Sequence, residues 1–307
     1  MSPRRTSPRL SARALAALAE RWPSPTPGRD RSLGSPGSRA YLKAYAREQF
    51  HQRLRSGFGL GRELPSWIGL EVLELGCGHG GVSCFVAATG ARRVVGVDLN
   101  VEHLGVARET AGELAEEMGR PPLPVSFEEM DAHALTLPPA SFDLVLADNL
   151  FEHVLDPAQV LRGAFQVLRP QGLLVAPTFS SIRSKYGLHL KRGLRLPWAN
   201  LLFSEATIVE AVQLRAERHP ELLHTYPGAA HAPARVRDLR RYGDLNDLTH
   251  AEFLTLARGA GFEITGFGVH ATLGGRLLRR LARLPETSGA LELLSTAAWA
   301  VLRRPEA

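Results

Sequence analysis

Cysteine is scarce. The 307 residues hold two, Cys77 and Cys84, seven positions apart and outside any C-x-x-C pattern. That excludes a disulfide framework and a cysteine zinc site, and it fits a reducing cytoplasm. Long apolar runs are also missing. No stretch approaches the ~18 residues that a membrane span needs. The apolar segment at 12–19 is interrupted by Arg13 and followed by Glu20, so neither a secretory leader nor a twin-arginine export signal after Arg4-Arg5 is expected. His219, His224 and His231 lack metal-ligand spacing, and no metal is expected.

Charge is present but unevenly placed. The formal net charge is +6, yet residues 1–55 alone hold twelve Lys and Arg against three Asp and Glu. The rest of the chain is slightly acidic. The high isoelectric point therefore belongs to the N-terminal arm. Residues 1–37 are rich in Pro, Ser, Gly and Arg, and read as a disordered basic arm preceding a domain over 38–307. Within that domain, 39–55 has helical spacing of Tyr41, Leu42, Tyr45, Phe50 and Leu54.

From residue 70 onward strands and helices alternate. Strands are expected at 70–75, 93–98, 125–130, 142–148 and 173–177. Helices lie between them, with Gly90 ending one, Asn100 capping another, and Asp156-Pro157 opening a third. This rhythm implies a parallel sheet covered by helices on both faces. It breaks over 178–248, a basic segment with one clear helix at 204–217, read as a substrate or lid insertion. Regularity returns with a capping box, Thr249-x-x-Glu252, flanked by a Leu248/Phe253 staple. A strand at 262–269 follows. The apolar stretch from Ser295 is expected to be an edge strand, antiparallel to its predecessor.

The chemistry concentrates in Val72-Leu73-Glu74-Leu75-Gly76-Cys77-Gly78-His79-Gly80-Gly81, an apolar strand running into a glycine turn that opens a helix. Such a turn brings backbone N–H groups close to a ligand. Gly76-x-Gly78-x-x-Gly81 alone also fits a dinucleotide fingerprint, with Asp98 where a ribose-binding acid belongs. Glu74 argues for a different ligand, because a carboxylate there would repel a pyrophosphate and suit a cation. Asp98 ends the second strand and Asp131 follows the third. A glycine turn and acids at the carboxyl ends of successive strands suit a nucleoside with a cationic tail, and S-adenosylmethionine (SAM) is such a molecule.

VLELGCGHGGVS, VVGVDLN and MDAHALTLPPASFDLVLADNLFEHVLDP together resemble the class I SAM-dependent methyltransferases, particularly the broad type 11 group, closely over 70–177 and loosely over 249–303. The resemblance implies a Rossmann-like αβα sandwich around a seven-stranded, mostly parallel sheet with an antiparallel last strand. It implies that Gly76, Cys77, Gly78, Gly80 and Asn149 line the methionine portion of SAM. Asp98 would hold the ribose, Leu99 would flank the adenine, and Asp131 and Ala132 would mark its far end.

Methyl transfer needs alignment more than side-chain chemistry. A base is needed only where the acceptor must lose a proton, and His153 is the candidate. Its other reading is a histidine that fixes the loop before Asp156. Tyr186, His189 and Trp198 in the insertion are candidates for contact with the acceptor, expected to be a small molecule. The chain has Asp148-Asn149-Leu150-Phe151 where methyltransferases of nucleic-acid base amines have an Asn/Asp-Pro-Pro-aromatic run. That argues against base amines. An NAD-dependent oxidoreductase, an RNA or protein methyltransferase guided by the basic arm, and a non-catalytic SAM-binding protein stand as alternatives. No Tyr-x-x-x-Lys set for hydride transfer is evident. Acceptor identity and oligomeric state are not encoded in any motif.

Overall fold

The computed structural model describes residues 10–21, 38–58, 65–185, 196–218, 246, 248–271, 274, 276, 284–285 and 287–306. Its elements run in the order α1 (Leu10–Arg21), α2 (Arg39–Ser56), β1 (Glu71–Leu75), α3 (Gly81–Ala88), β2 (Arg93–Asp98), α4 (Val101–Glu117), β3 (Val125–Glu129), β4 (Phe142–Leu146), α5 (Pro157–Val167), β5 (Leu168–Phe179), α6 (Ala199–Leu202), α7 (Glu205–Arg218), α8 (His250–Gly259), β6 (Glu263–Ala271), α9 (Gly289–Leu293) and β7 (Ser295–Arg303). The strands form one seven-stranded sheet in the order β3-β2-β1-β4-β5-β7-β6. β1 to β5 pair in parallel, and β7 is antiparallel to both neighbours. This is the Rossmann-like class expected from the sequence.

Two-residue periodicity divides the core. Leu73, Leu75, Val95, Val97, Val145, Ala147, Leu174 and Ala176 face one layer, shared with α5 and α8. Val72, Val94, Leu144, Leu146 and Val175 face the other, shared with α2, α3 and α4. Strands covered on both faces read as continuous apolar runs, as these do. Helix ends follow the capping signals. Asn100 accepts from the N–H groups of Glu102 and His103, Asp156 accepts from Gln159, and the Thr249–Glu252 box makes both reciprocal bonds. Arg304 closes the far end of α5 by donating to the carbonyls of Phe165, Gln166 and Leu168 while stacking on the Phe165 ring.

Two expectations are corrected. β7 is not at the edge: it lies between β5 and β6, and β6 is the edge. The reason is burial. Most of β7 is buried, including Ala298, Ala300 and Leu302, whereas β6 is largely half-exposed. Within the arm expected to be disordered, Leu10–Arg21 forms a helix. Its Ala12, Leu15, Ala16 and Ala19 are buried in a separate cluster with Ala199, Ile208 and Ala211 of α6 and α7. The segment cannot bury its apolar face by itself, but the insertion supplies a partner for it. The rest of 1–37 lies outside the described residues. No helix among the described residues is long and apolar enough to cross a membrane.

α2 packs across α3 and α4. A ladder of ion pairs runs along the α2/α4 seam, linking Arg39 to Glu109, Lys43 to Glu113, and Arg47 to Glu117. The groups are half-buried to exposed, and such pairs add little each. Closer in, a Cβ at Gly81 would lie 2.4 Å from the Ala46 carbonyl oxygen and 2.9 Å from Gln49 Cβ. Gly81→Ala should therefore push α2 off α3 and cost on the order of 1–3 kcal/mol. Urea denaturation of the two proteins would measure it, and an unchanged midpoint would refute the packing argument.

Candidate functional site

The sheet order reverses between β1 and β4, so the strands on either side lead away in opposite directions. Ligands of open α/β sheets bind at the carboxyl ends of strands beside such a reversal. The glycine turn after β1 lies there. Gly76, Gly78 and Gly80 all have positive φ, at +69°, +51° and +79°. Gly80 also lacks room: a Cβ would lie 2.7 Å from both Ala107 and Phe127. Gly78 differs, because no atom lies within 4 Å of where its Cβ would be. The turn is thus packed tightly on one side and open at Gly78.

Asp98 faces that turn from the end of β2. Its Oδ2 accepts from the Gly78 N–H at 2.9 Å and its Oδ1 from the Asn100 N–H at 2.8 Å. Both oxygens are thereby oriented, and each retains acceptor capacity. Leu99, next to it, is 64% exposed. Asp131 follows β3, where its Oδ1 accepts from both the N–H and the ring Nδ1 of His133, each at 2.8 Å. These bonds with His133 hold the Asp131 carboxyl below the usual range. Ala132 beside it is buried. Asn149 follows β4 at φ +53° and is exposed, with its N–H donating to the Thr178 carbonyl. The carboxyl ends of β1 to β4 therefore bring together the glycine turn, Asp98, Asp131 and Asn149.

Glu74 and Cys77 sit behind this surface. Glu74 is 3% exposed and accepts a hydrogen bond from the Ser83 hydroxyl. Burial pushes its carboxyl up to about 8 despite that bond, and nearby Asp148 and Asp98 add to the rise. Where the sequence suggested a carboxylate presented to a ligand, the structure has a largely protonated acid under the turn. Cys77 is 6% exposed, and its N–H donates to the Val97 carbonyl. Burial raises its thiol well above the ordinary value, so it offers backbone rather than a nucleophile. His79, within the turn, is also buried, against the edge of Tyr45 and the ring of His103. Burial lowers it to about 3.

Sequence reasoning missed three participants. Arg53, near the end of α2, donates to Asp148 Oδ2 at 2.6 Å across 95 positions, just beyond β4. Burial raises the Asp148 carboxyl, and Arg53 opposes that rise. Asn246 staples the loop after β4 through its side-chain amide, which donates to the carbonyls of Phe151 and Val154, while its N–H donates to that of Glu152. His133 is the third. Only the basic helical pattern of 39–55 gave any hint of Arg53, and nothing marked Asn246.

His153 is half-buried in a turn closed by its own N–H to the Leu150 carbonyl. Trp198 donates its indole N–H to the Leu293 carbonyl at 2.7 Å, and its ring faces the Lys185 ammonium. Tyr186 and His189 lie outside the described residues. Among the described residues, no group of three or more His, Cys, Asp or Glu is placed to hold a metal ion.

This strand order, with a glycine turn after β1 and an acid after β2, defines the class I SAM-dependent methyltransferase fold. Residues 73–176 match the family model described as a methyltransferase domain. SAM is the cosubstrate that the family implies. Among curated proteins, the ubiquinone biosynthesis O-methyltransferase of Ruegeria pomeroyi is 36% identical over 129 residues, covering 42% of this chain and 48% of its own. That of Rhizobium rhizogenes is 33% identical over 168 residues, covering 54% of this chain and 61% of its own. The chain thus spans about half the length of the curated relatives it matches. A solved SAM-dependent methyltransferase from Mesorhizobium loti superposes with a TM-score of 0.50 at 21% identity, covering 81% of this chain and 97% of that one, a likeness of fold.

Glu74 gives this site a pH signature. Its folded value lies above its unfolded one, so its contribution is fully present below about pH 4.5 and is lost as pH rises through about 8. Glu74→Gln should remove that decline. In calorimetric scans, the variant should gain thermal stability relative to the parent between about pH 5 and 8. Parallel curves would mean that Glu74 ionises freely in the folded protein.

Proposed function

We propose that this protein is a SAM-dependent methyltransferase acting on a small molecule. The observation that carries the proposal is the opening at Gly78, bounded by the Asp98 carboxylate that its own N–H orients. The residues present fit the ligand. A tight backbone turn suits the methionine portion beside Gly76, Cys77, Gly78, Gly80 and Asn149. Asp98 can accept from two ribose hydroxyls, exposed Leu99 offers an apolar face to adenine, and Asp131 and Ala132 lie at the adenine end. Arg53 and Asp148 place a paired cation and anion near the methionine end. Glu74 acts from behind, through the turn. Bound SAM would supply a methyl group on a sulfonium that is already a good leaving group.

The chain's own task is then alignment and exclusion of water. The curated relatives are named as O-methyltransferases, which favours a hydroxyl acceptor. A hydroxyl must lose its proton, and His153, which follows β4, is the candidate to receive it. Helix α2 and the insertion over 178–248, with α1 packed on α7, would form the acceptor pocket and its cover.

Calorimetric titration of the full chain with SAM and with NAD+ tests the cofactor assignment. SAM should bind and NAD+ should not. Asp98→Ala should weaken SAM binding by about 1–3 kcal/mol through loss of charge-assisted bonds to the ribose. Unchanged affinity in a folded variant would overturn the assignment.

Trp198→Ala tests the cover. Loss of the bond to Leu293 should release α6 and lower methyl transfer from labelled SAM into a cell extract at least tenfold, while SAM affinity changes less than about twofold. Equal losses in both would place Trp198 in the fold rather than in acceptor binding.

A further inference from the structure

His133 has two ring nitrogens and both are engaged. Nδ1 lies 2.8 Å from Asp131 Oδ1. Nε2 lies 3.2 Å from the backbone nitrogen of Asp156. A backbone N–H can only donate, so Nε2 must supply a lone pair. The ring proton is therefore on Nδ1, where it is given to the carboxylate. The His133 carbonyl is held as well, by the side-chain amide of Gln159 at 2.8 Å. Three contacts fix one residue between the end of β3 and the start of α5.

The effect falls on Asp131. Its Oδ1 is occupied by two donors from His133, the backbone N–H and the ring N–H. No hydrogen bond to Oδ2 arises among the described residues. The side chain is 43% exposed, so with the main-chain bond alone it could rotate into solvent. The two bonds to one oxygen hold the carboxylate so that the other oxygen remains the acceptor.

From this geometry we propose that His133 is a positioning residue for base recognition. It holds Asp131 as a pre-oriented acceptor for an exocyclic amine, so that the site distinguishes adenine from a base that carries oxygen at that position. The inference rests on the reading of Asp131 as the adenine end of a SAM site. His133 does not touch the ligand. It acts through Asp131, and its bond to Asp156 ties that acceptor to the N-cap of α5. A base with a carbonyl in place of the amine would meet the fixed Oδ2 as acceptor against acceptor. That is a penalty a freely rotating carboxylate could evade.

The test compares two ligands on the full chain, S-adenosylhomocysteine and S-inosylhomocysteine, which differ in that amine. The unaltered protein should prefer the adenosyl ligand by roughly tenfold or more, as expected for one hydrogen bond gained and one repulsion avoided. His133→Asn retains a donor near the position of Nδ1 and should keep most of that preference. His133→Gln can reach the Asp156 N–H but leaves Asp131 without the ring donor, and its preference should fall to within about threefold. Failure of the unaltered protein to bind either ligand would overturn the SAM reading itself. Binding with a strong preference that His133→Gln keeps, or that both variants lose equally, would overturn the role of His133 alone.

Discussion

Close backbone approach at the first βα turn is the constraint on which the site depends. A side chain at Gly80 would strike Ala107 and Phe127, and one at Gly96 would strike Ser83, Cys77 and Phe127. A side chain at Gly81 would strike the α2 backbone. Because none is present, the turn settles between β2, α4 and α2. Only in that position can the Gly78 N–H reach Asp98. The acid that faces the candidate ligand is thus oriented by the same glycines that let the layers close.

Electrostatics around the turn follow from burial rather than from charge counting. Glu74, Asp98 and Asp148 cluster near the guanidinium of Arg53. Burial relieves the crowding by keeping Glu74 largely protonated at neutral pH, while Asp148 is compensated by Arg53. The most buried acids therefore support the turn and its covering helix. The less buried ones, Asp98 and Asp131, are left at the strand ends with acceptor capacity to spare. The net charge of +6 says nothing of this arrangement.

Much of this was legible in the sequence because it rests on short-range pattern. Strand runs, glycine spacing and caps at Asn100, Asp156 and Thr249 are local signals, and each appears where its chemistry requires. The acids after β2 and β3 were found by the same logic. What escaped detection is long-range. Arg53 meets Asp148 from 95 positions away, and Asn246 reaches back 95 and 92 positions to Phe151 and Val154. α1 looked like part of a disordered arm because its partner lies almost two hundred residues later. The edge assignment of β7 failed for a related reason. Sequence order suggested that the last strand is outermost, but its apolar character on both faces demanded an interior place.

That interior place has a bearing on how the chain reaches its fold. β5 and β6 are both made before β7, yet they never pair with each other. Each borders only the strand that arrives last on that side. During synthesis, the β5 edge, carrying Leu173, Leu174, Val175 and Ala176, must wait with its hydrogen-bonding groups unmatched until Ser295–Arg303 emerge and slot in. A growing polypeptide in that condition is open to pairing with the wrong strand, its own or a neighbour's. The nine residues of β7 therefore act as a keystone, and the ribosome sets the moment at which the arch can close.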